Sequence, residues 1–179
     1  MKPQLYSGNT FEADGVTFRV TFDQDNYGDY PWEWCDGHGV VRKSHAQHRE
    51  GYSDKKPGER PMNKSGRNEY QFYYDVAASM KLAKQDGWNT APYDVPNKAQ
   101  RAIDADFKYL SGFINGDWCY ITVHVELLDA DGAVLSDDYL GMVESIGDHA
   151  SDCAYDMVDE MVHSRRIANR FTDAMTLGL

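Results

Sequence analysis

The sequence predicts an α+β fold: an antiparallel sheet with helices packed on one face, in the order β, long loop, β, α, α, β, β, α. Three observations predict it. Gly15–Asp23 and Trp118–Leu128 alternate apolar and polar side chains, the period of a half-buried strand. The second of these runs into turn chemistry and a return strand, which makes a hairpin and not a parallel crossover. Three further segments carry apolar residues at three- and four-residue steps, the period of a helix with one buried stripe.

In order along the chain, residues 1–14 are expected as an N-terminal extension. Val16, Phe18, Val20 and Phe22 then point to one face of the first strand, and Thr17, Arg19 and Thr21 to the other. Residues 25–68 are rich in Gly, Pro, Asp, Asn, Lys and His with no sustained period, and are expected as a long irregular insert. Tyr27, Tyr30, Trp32 and Trp34 crowd its first part and would anchor it. Glu69–Tyr74 reads as an aromatic strand, and Asp75 stands where an N-cap would. Val76, Ala77, Met80, Leu82 and Ala83 mark a helix stopped at Gly87. After the Pro92–Pro96 linker a second helix runs from Asn97 to Ile114. Its buried stripe is Ala99, Ala102, Ile103, Asp106/Phe107, Leu110 and Phe113/Ile114.

In the strongest strand, Cys119, Ile121, Val123, Val125 and Leu127 share one face. Asp129-Ala130-Asp131-Gly132 is a turn, and the return strand covers Ala133–Glu144. A last helix from Ser151 to Ala168 buries Cys153/Ala154, Met157/Val158 and Met161/Val162, leaving 171–179 as a tail. A single domain over 1–179 fits the length.

Composition narrows the function classes. Hydrophobic residues form 41% and aromatics 13%, too many for a disordered acidic tail. No apolar run approaches a membrane span, and Met1-Lys2-Pro3-Gln4 lacks the apolar core of a secretory signal. Three distant cysteines, Cys35, Cys119 and Cys153, suit a reducing compartment better than a disulfide scaffold, so a cytoplasmic protein is expected. With 18 Lys+Arg against 29 Asp+Glu, the charge of −11 opposes phosphate backbones, and no direct duplex DNA binding is expected.

That charge is unevenly placed. Between Ala102 and Glu160, fourteen acidic side chains stand against Lys108, a balance of −13. Between Arg42 and Arg67, eight bases stand against three acids, a balance of +5. Asp152, Asp156 and Asp159 fall on one helix face, about 4.5–6 Å apart along the axis. Asp129, Asp131, Asp137 and Asp138 cluster at the hairpin end, and Glu144 and Asp148 lie between the two groups. Carboxylates at this pitch resemble the charge spacing of a nucleic-acid strand, and the nine together predict a docking face for a basic groove on another protein. The plainer reading is a solvated face that maintains solubility.

Two other constellations carry possible chemistry. Cys35, His38, His45 and His48 could supply four ligands to zinc, although Arg42, Lys43 and Arg49 intervene and the spacing fits no standard site. Glu33, Asp36 and His38, in the Trp32–Gly39 loop, could act in metal-assisted hydrolysis; the plainer reading is an Asp-Gly turn pinned by aromatics. Arg42–Arg67, with Trp32 and Trp34 for stacking, is a third candidate, for nucleic-acid binding. No dinucleotide fingerprint, P-loop, GxSxG or HExxH is present, and no cofactor is expected.

Four blocks resemble an uncharacterised family of bacteriophage and mobile-element accessory proteins, from about Gly15 to Glu160. They are Pro31-Trp32-Glu33 with Asp36-Gly37-His38-Gly39-Val40; Lys56-Pro57-Gly58-Glu59-Arg60 with Tyr73-Tyr74-Asp75 and Asp86-Gly87-Trp88; Asp104-Ala105-Asp106-Phe107 through Asp117-Trp118-Cys119-Tyr120; and Leu140 through Val143-Glu144-Ser145 with Gly147-Asp148. The family has a tryptophan and a glycine where Gly141 and Met142 stand, and its histidine matches His38 only. The resemblance transfers no activity. It implies an accessory protein of the host bacterial cytoplasm that binds, and inhibits or redirects, a host protein such as a CRISPR or restriction component.

Overall fold

A computed structural model describes residues 3–25, 29–34, 37–45, 54–64, 70–88 and 96–176, with side chains described to residue 170 and at 172. Their elements are β1 (Asn9–Ala13), β2 (Val16–Gln24), α1 (Pro31–Trp34), β3 (Val40–Ser44), β4 (Glu59–Pro61), β5 (Gln71–Asp75), α2 (Val76–Gln85), α3 (Lys98–Ile114), β6 (Tyr120–Leu128), β7 (Val134–Glu144) and α4 (His149–Thr176). The fold is α+β with antiparallel pairing throughout. The strands form two sheets where one is expected, ordered β1-β2-β6-β7 and β3-β5-β4. The chain accordingly gathers into two compact units, each with its own apolar cluster. Unit 1 is Met1–Asn26 with Cys119–Leu179, and unit 2 is Tyr27–Trp118.

Unit 1 is built on the two alternating strands. Phe18 and Val20 of β2 lie opposite Leu127 and Val125 of β6, and Ala154, Met157 and Val158 of α4 complete the cluster. The supposed N-terminal extension is part of this sheet. Asp14 and Gly15 both take positive φ (54° and 73°), which turns the chain so that β1 pairs with β2. Buried Leu5 donates its N–H to Ser151 Oγ at 2.9 Å, and Phe11 packs on Phe18 and Tyr155. β1 is too short for its alternation to stand out from sequence. The last helix also exceeds its expected bounds at both ends and absorbs the tail through Thr176; no glycine or proline interrupts it.

Unit 2 is built around β5, whose Phe72, Tyr73 and Tyr74 are buried. The insert expected to be irregular supplies both neighbours of this strand, β3 and β4, and the single-turn helix α1. Asp75 caps α2 as expected, accepting the Ala78 N–H at 2.9 Å. Ala102, Ile103 and Leu110 of α3 are buried, as the helical period requires.

Candidate functional site

The two units differ most in charge. Unit 1 contains 16 acidic and 5 basic residues, and unit 2 contains 13 of each, so the whole −11 belongs to unit 1. Three acids of the sequence run, Asp104, Asp106 and Asp117, fall in unit 2 and are engaged there. Asp104 meets Arg60 at 2.7 Å and Asp117 meets Lys64 at 2.7 Å.

Within unit 1 the predicted docking residues form subgroups. Asp152, Asp156 and Asp159 are exposed along α4, directed away from Ala154, Met157 and Val158. Asp148 is exposed just before the helix, and its carbonyl accepts the Asp152 N–H at 2.9 Å. In the β6–β7 turn, Asp129 Oδ1 accepts the Asp131 and Ala133 N–H groups at 2.9 and 2.8 Å, so one carboxylate shapes the turn that exposes the other. Asp137 and Asp138 point to opposite faces of the sheet. Asp138 lies opposite Val125 on the helix-covered side; Asp137 lies opposite Glu126 and meets His124 Nε2 at 3.2 Å. Half-buried Glu144 lies opposite Tyr120. Among the described residues, no lysine or arginine forms an ion pair with Asp129, Asp131, Asp138, Asp148, Asp152 or Asp156. Arg19 meets Glu126 at 2.5 and 2.8 Å and holds its carboxyl below the ordinary range, while Arg166 meets Asp14.

Four described cations of the basic stretch, Arg42, Lys43, Arg60 and Lys64, are engaged within unit 2. Arg42 grips Glu59 through two bonds of 2.7 and 2.8 Å and reaches Asp54 at 3.0 Å. Asp54 also accepts Ser44 Oγ–H at 2.5 Å, and Glu59 the Lys56 N–H at 2.7 Å. Lys43 lies 3.9 Å from the Tyr70 ring centroid, and Arg60 lies 3.7 Å from that of Phe107. Arg49 and Arg67 lie outside the described residues. The Arg42 pair joins β3 to β4 and depresses the Glu59 carboxyl to about 2, and the Ser44 hydroxyl, with Arg42, lowers Asp54 to about 2. Both carboxyls are lower in the folded chain than in the unfolded one. Their stabilisation is therefore complete above the ordinary carboxylate range and is lost as the pH falls through it toward about 2. Acid titration of unit 2 stability should show this loss, and Glu59→Gln should flatten it while lowering stability at neutral pH.

His38 is held by a largely enclosed carboxylate, 9% exposed at its side chain, that the sequence placed on α3 without a partner. Asp106 Oδ1 lies 2.7 Å from His38 Nδ1, and its Oδ2 accepts the Gly39 N–H at 2.7 Å and the Tyr74 hydroxyl at 2.8 Å. The His38 ring stacks on Tyr109, centroid to centroid 5.5 Å. Gly37 takes φ +103°, which favours glycine, and Gly39 leaves room for the Tyr74 ring. Next to it, Ser79 Oγ accepts the Val40 N–H at 2.9 Å and donates to the Asp75 carbonyl at 2.6 Å. A carboxylate inside an apolar helical stripe was the available signal for this site; Tyr74 and Ser79 gave none.

The other two constellations are only partly described. Cys35, Asp36 and His48 lie outside the described residues. Glu33 accepts the N–H of Tyr30, the residue just before its own short helix, at 3.1 Å, and His45 meets the Tyr70 ring edge-on. Among the described residues, no three His, Cys, Asp or Glu side chains gather in a way that could hold a metal ion, and no helix is long and apolar enough to cross a membrane. No family model, curated protein or solved structure matches the chain.

Proposed function

We propose that this is a binding protein whose acidic unit docks on a cationic surface of another protein. The observation that carries this reading is the segregation of charge: all of the −11 lies in unit 1, with Asp152, Asp156 and Asp159 on one outward stripe of α4. A field of this kind speeds encounter with a basic groove and makes the complex salt-sensitive. The resemblance to phage accessory proteins suggests the partner: a nucleic-acid-binding host protein, a CRISPR or restriction component among the candidates, inhibited or redirected by occupation of its groove. Arg42, Arg60 and Lys64 are paired with carboxylates of unit 2 and Lys43 lies over its Tyr70 ring, which disfavours the nucleic-acid-binding alternative.

The test is affinity purification from bacterial extract at low and high salt, with the native chain and with D152K/D156K/D159K. A partner retained by the native chain at low salt, released at high salt and lost in the triple variant is expected. A partner retained equally by both chains refutes the reading.

The hydrolase alternative keeps one favourable observation, the Asp106 carboxylate that orients His38. Turnover of a phosphoester panel that disappears in His38→Ala, with the fold intact, would establish it.

A further inference from the structure

The outermost strand of unit 1, β7, is built unlike a protected sheet edge. Its first eight residues, Val134–Gly141, are exposed on both faces. Four of them are large and apolar: Val134 (47% exposed), Leu135 (58%), Tyr139 (60%) and Leu140 (42%). β7 lies at the end of the β1-β2-β6-β7 order, and among the described residues it pairs with β6 and no other strand. A long apolar edge of this kind is a template for another strand unless something covers it.

Two observations place the Tyr139 N–H on the outer side of the edge. Asp25 donates its N–H to the Tyr120 carbonyl at 2.9 Å, so every second residue of β6 from Tyr120, His124 included, turns its main chain to β2, and Tyr139, directly opposite His124, is in a pair that exchanges no main-chain bonds. The Tyr139 N–H is instead bonded to Asp138 Oδ1, at 2.8 Å. By alternation Asp137 also turns its main-chain groups outward, whereas Asp138 and Leu140 turn theirs to β6. Beside this edge a groove of about 660 Å³ runs between β7 and α4, lined by Leu135, Asp138, Glu160 and Met161 among others. Asp138 and Glu160, with Arg165 as the groove's own cation, therefore border the free main-chain row on the helix-covered side, and Tyr139 borders it on the other.

We infer that β7 receives an extended segment of the partner as a fifth strand, one that alternates lysine or arginine with apolar residues. The added strand bonds to the main chain of Asp137 and Tyr139, its apolar side chains meet Tyr139 on the face away from α4, and its cations meet Asp138 and Glu160 on the helix-covered face. Taking the Tyr139 N–H releases the Asp138 carboxylate toward an incoming cation, so main-chain and charge recognition reinforce each other. A second copy of the chain fits less well, because an antiparallel β7–β7 pair brings the Asp137-Asp138 segments of two acidic units together. This inference rests on the acidic docking reading and names its mode.

The test uses the full chain with two probes at low salt: an eight-residue peptide alternating arginine and valine, and octalysine. Amide hydrogen exchange is read with each. Expected is binding of the alternating peptide with about tenfold slower exchange at Asp137 and Tyr139 and little change at Asp138 and Leu140. Asp137→Pro should lose about tenfold more affinity for that peptide than Asp137→Ala, since both lose the carboxylate and only proline loses the outward N–H. The exchange readout stands on the native chain if the proline variant fails to fold. Salt-sensitive binding of both peptides with no protection at Asp137 and Tyr139 overturns strand addition and leaves acidic docking in place. A free chain that is dimeric and already protected at those amides overturns the choice of occupant. Binding of neither peptide counts against acidic docking itself.

Discussion

Gly39→Ala is expected to destabilise unit 2 by about 3 kcal/mol or more, the upper end of the cost of overpacking a core. The added Cβ would overlap Oη, Cζ and Cε2 of Tyr74. Tyr74 has nowhere to go: it is fully buried, its hydroxyl is bonded to Asp106, and Phe107 packs edge-on against its ring at 5.7 Å. Moving Gly39 instead would stretch its 2.7 Å bond to Asp106. Gly37→Ala is the informative comparison. A Cβ there meets nothing within 4 Å, so the cost is confined to the positive φ, about 1–2 kcal/mol. All four tryptophans, Trp32, Trp34, Trp88 and Trp118, lie in unit 2, so tryptophan emission during denaturant unfolding reports this unit. Equal midpoints for the two alanine variants would contradict the packing described.

Asp106→Ala is expected to cost about 3–5 kcal/mol, because it strands several polar groups at once. The Gly39 N–H and the Tyr74 hydroxyl lose their acceptor, and His38 loses the group that sets its ring. Burial already pushes the Tyr74 phenol up, and it gains no compensating anionic form. Asp106→Asn should fall between the native chain and the alanine variant, since the amide keeps one acceptor and turns a donor toward groups that donate. A double-mutant cycle of His38→Ala with Asp106→Ala measures their coupling, which should be well above the additive limit for distant sites. An additive result would mean that the pair is not a unit.

Local patterns carried most of the fold. β2, β6 and the hairpin follow from alternation, and α2 from its N-cap and its closing glycine, because each signal lies within a dozen residues. What sequence hid is pairing at long range. β3 and β4 are short and polar, and they exist as strands because β5 offers them a buried aromatic partner and Arg42 joins them through Glu59. β1 needed the Asp14-Gly15 turn and the Leu5 anchor to be recognised. Asp106 was visible as a carboxylate in an apolar stripe, but His38 is 68 residues away and Tyr74 is 32. The charge run was legible as a count and misleading as a surface. The boundary between units falls at Trp118, inside one predicted strand, and gives Asp104, Asp106 and Asp117 to the neutral unit.

The acidic docking account is tested most directly by the salt dependence of affinity for the captured partner. It predicts that Kd rises steadily as salt is added, and that D152K/D156K/D159K both weakens binding and reduces the slope of log Kd against log salt. An affinity indifferent to salt, or a slope unchanged by the three reversals, would contradict it.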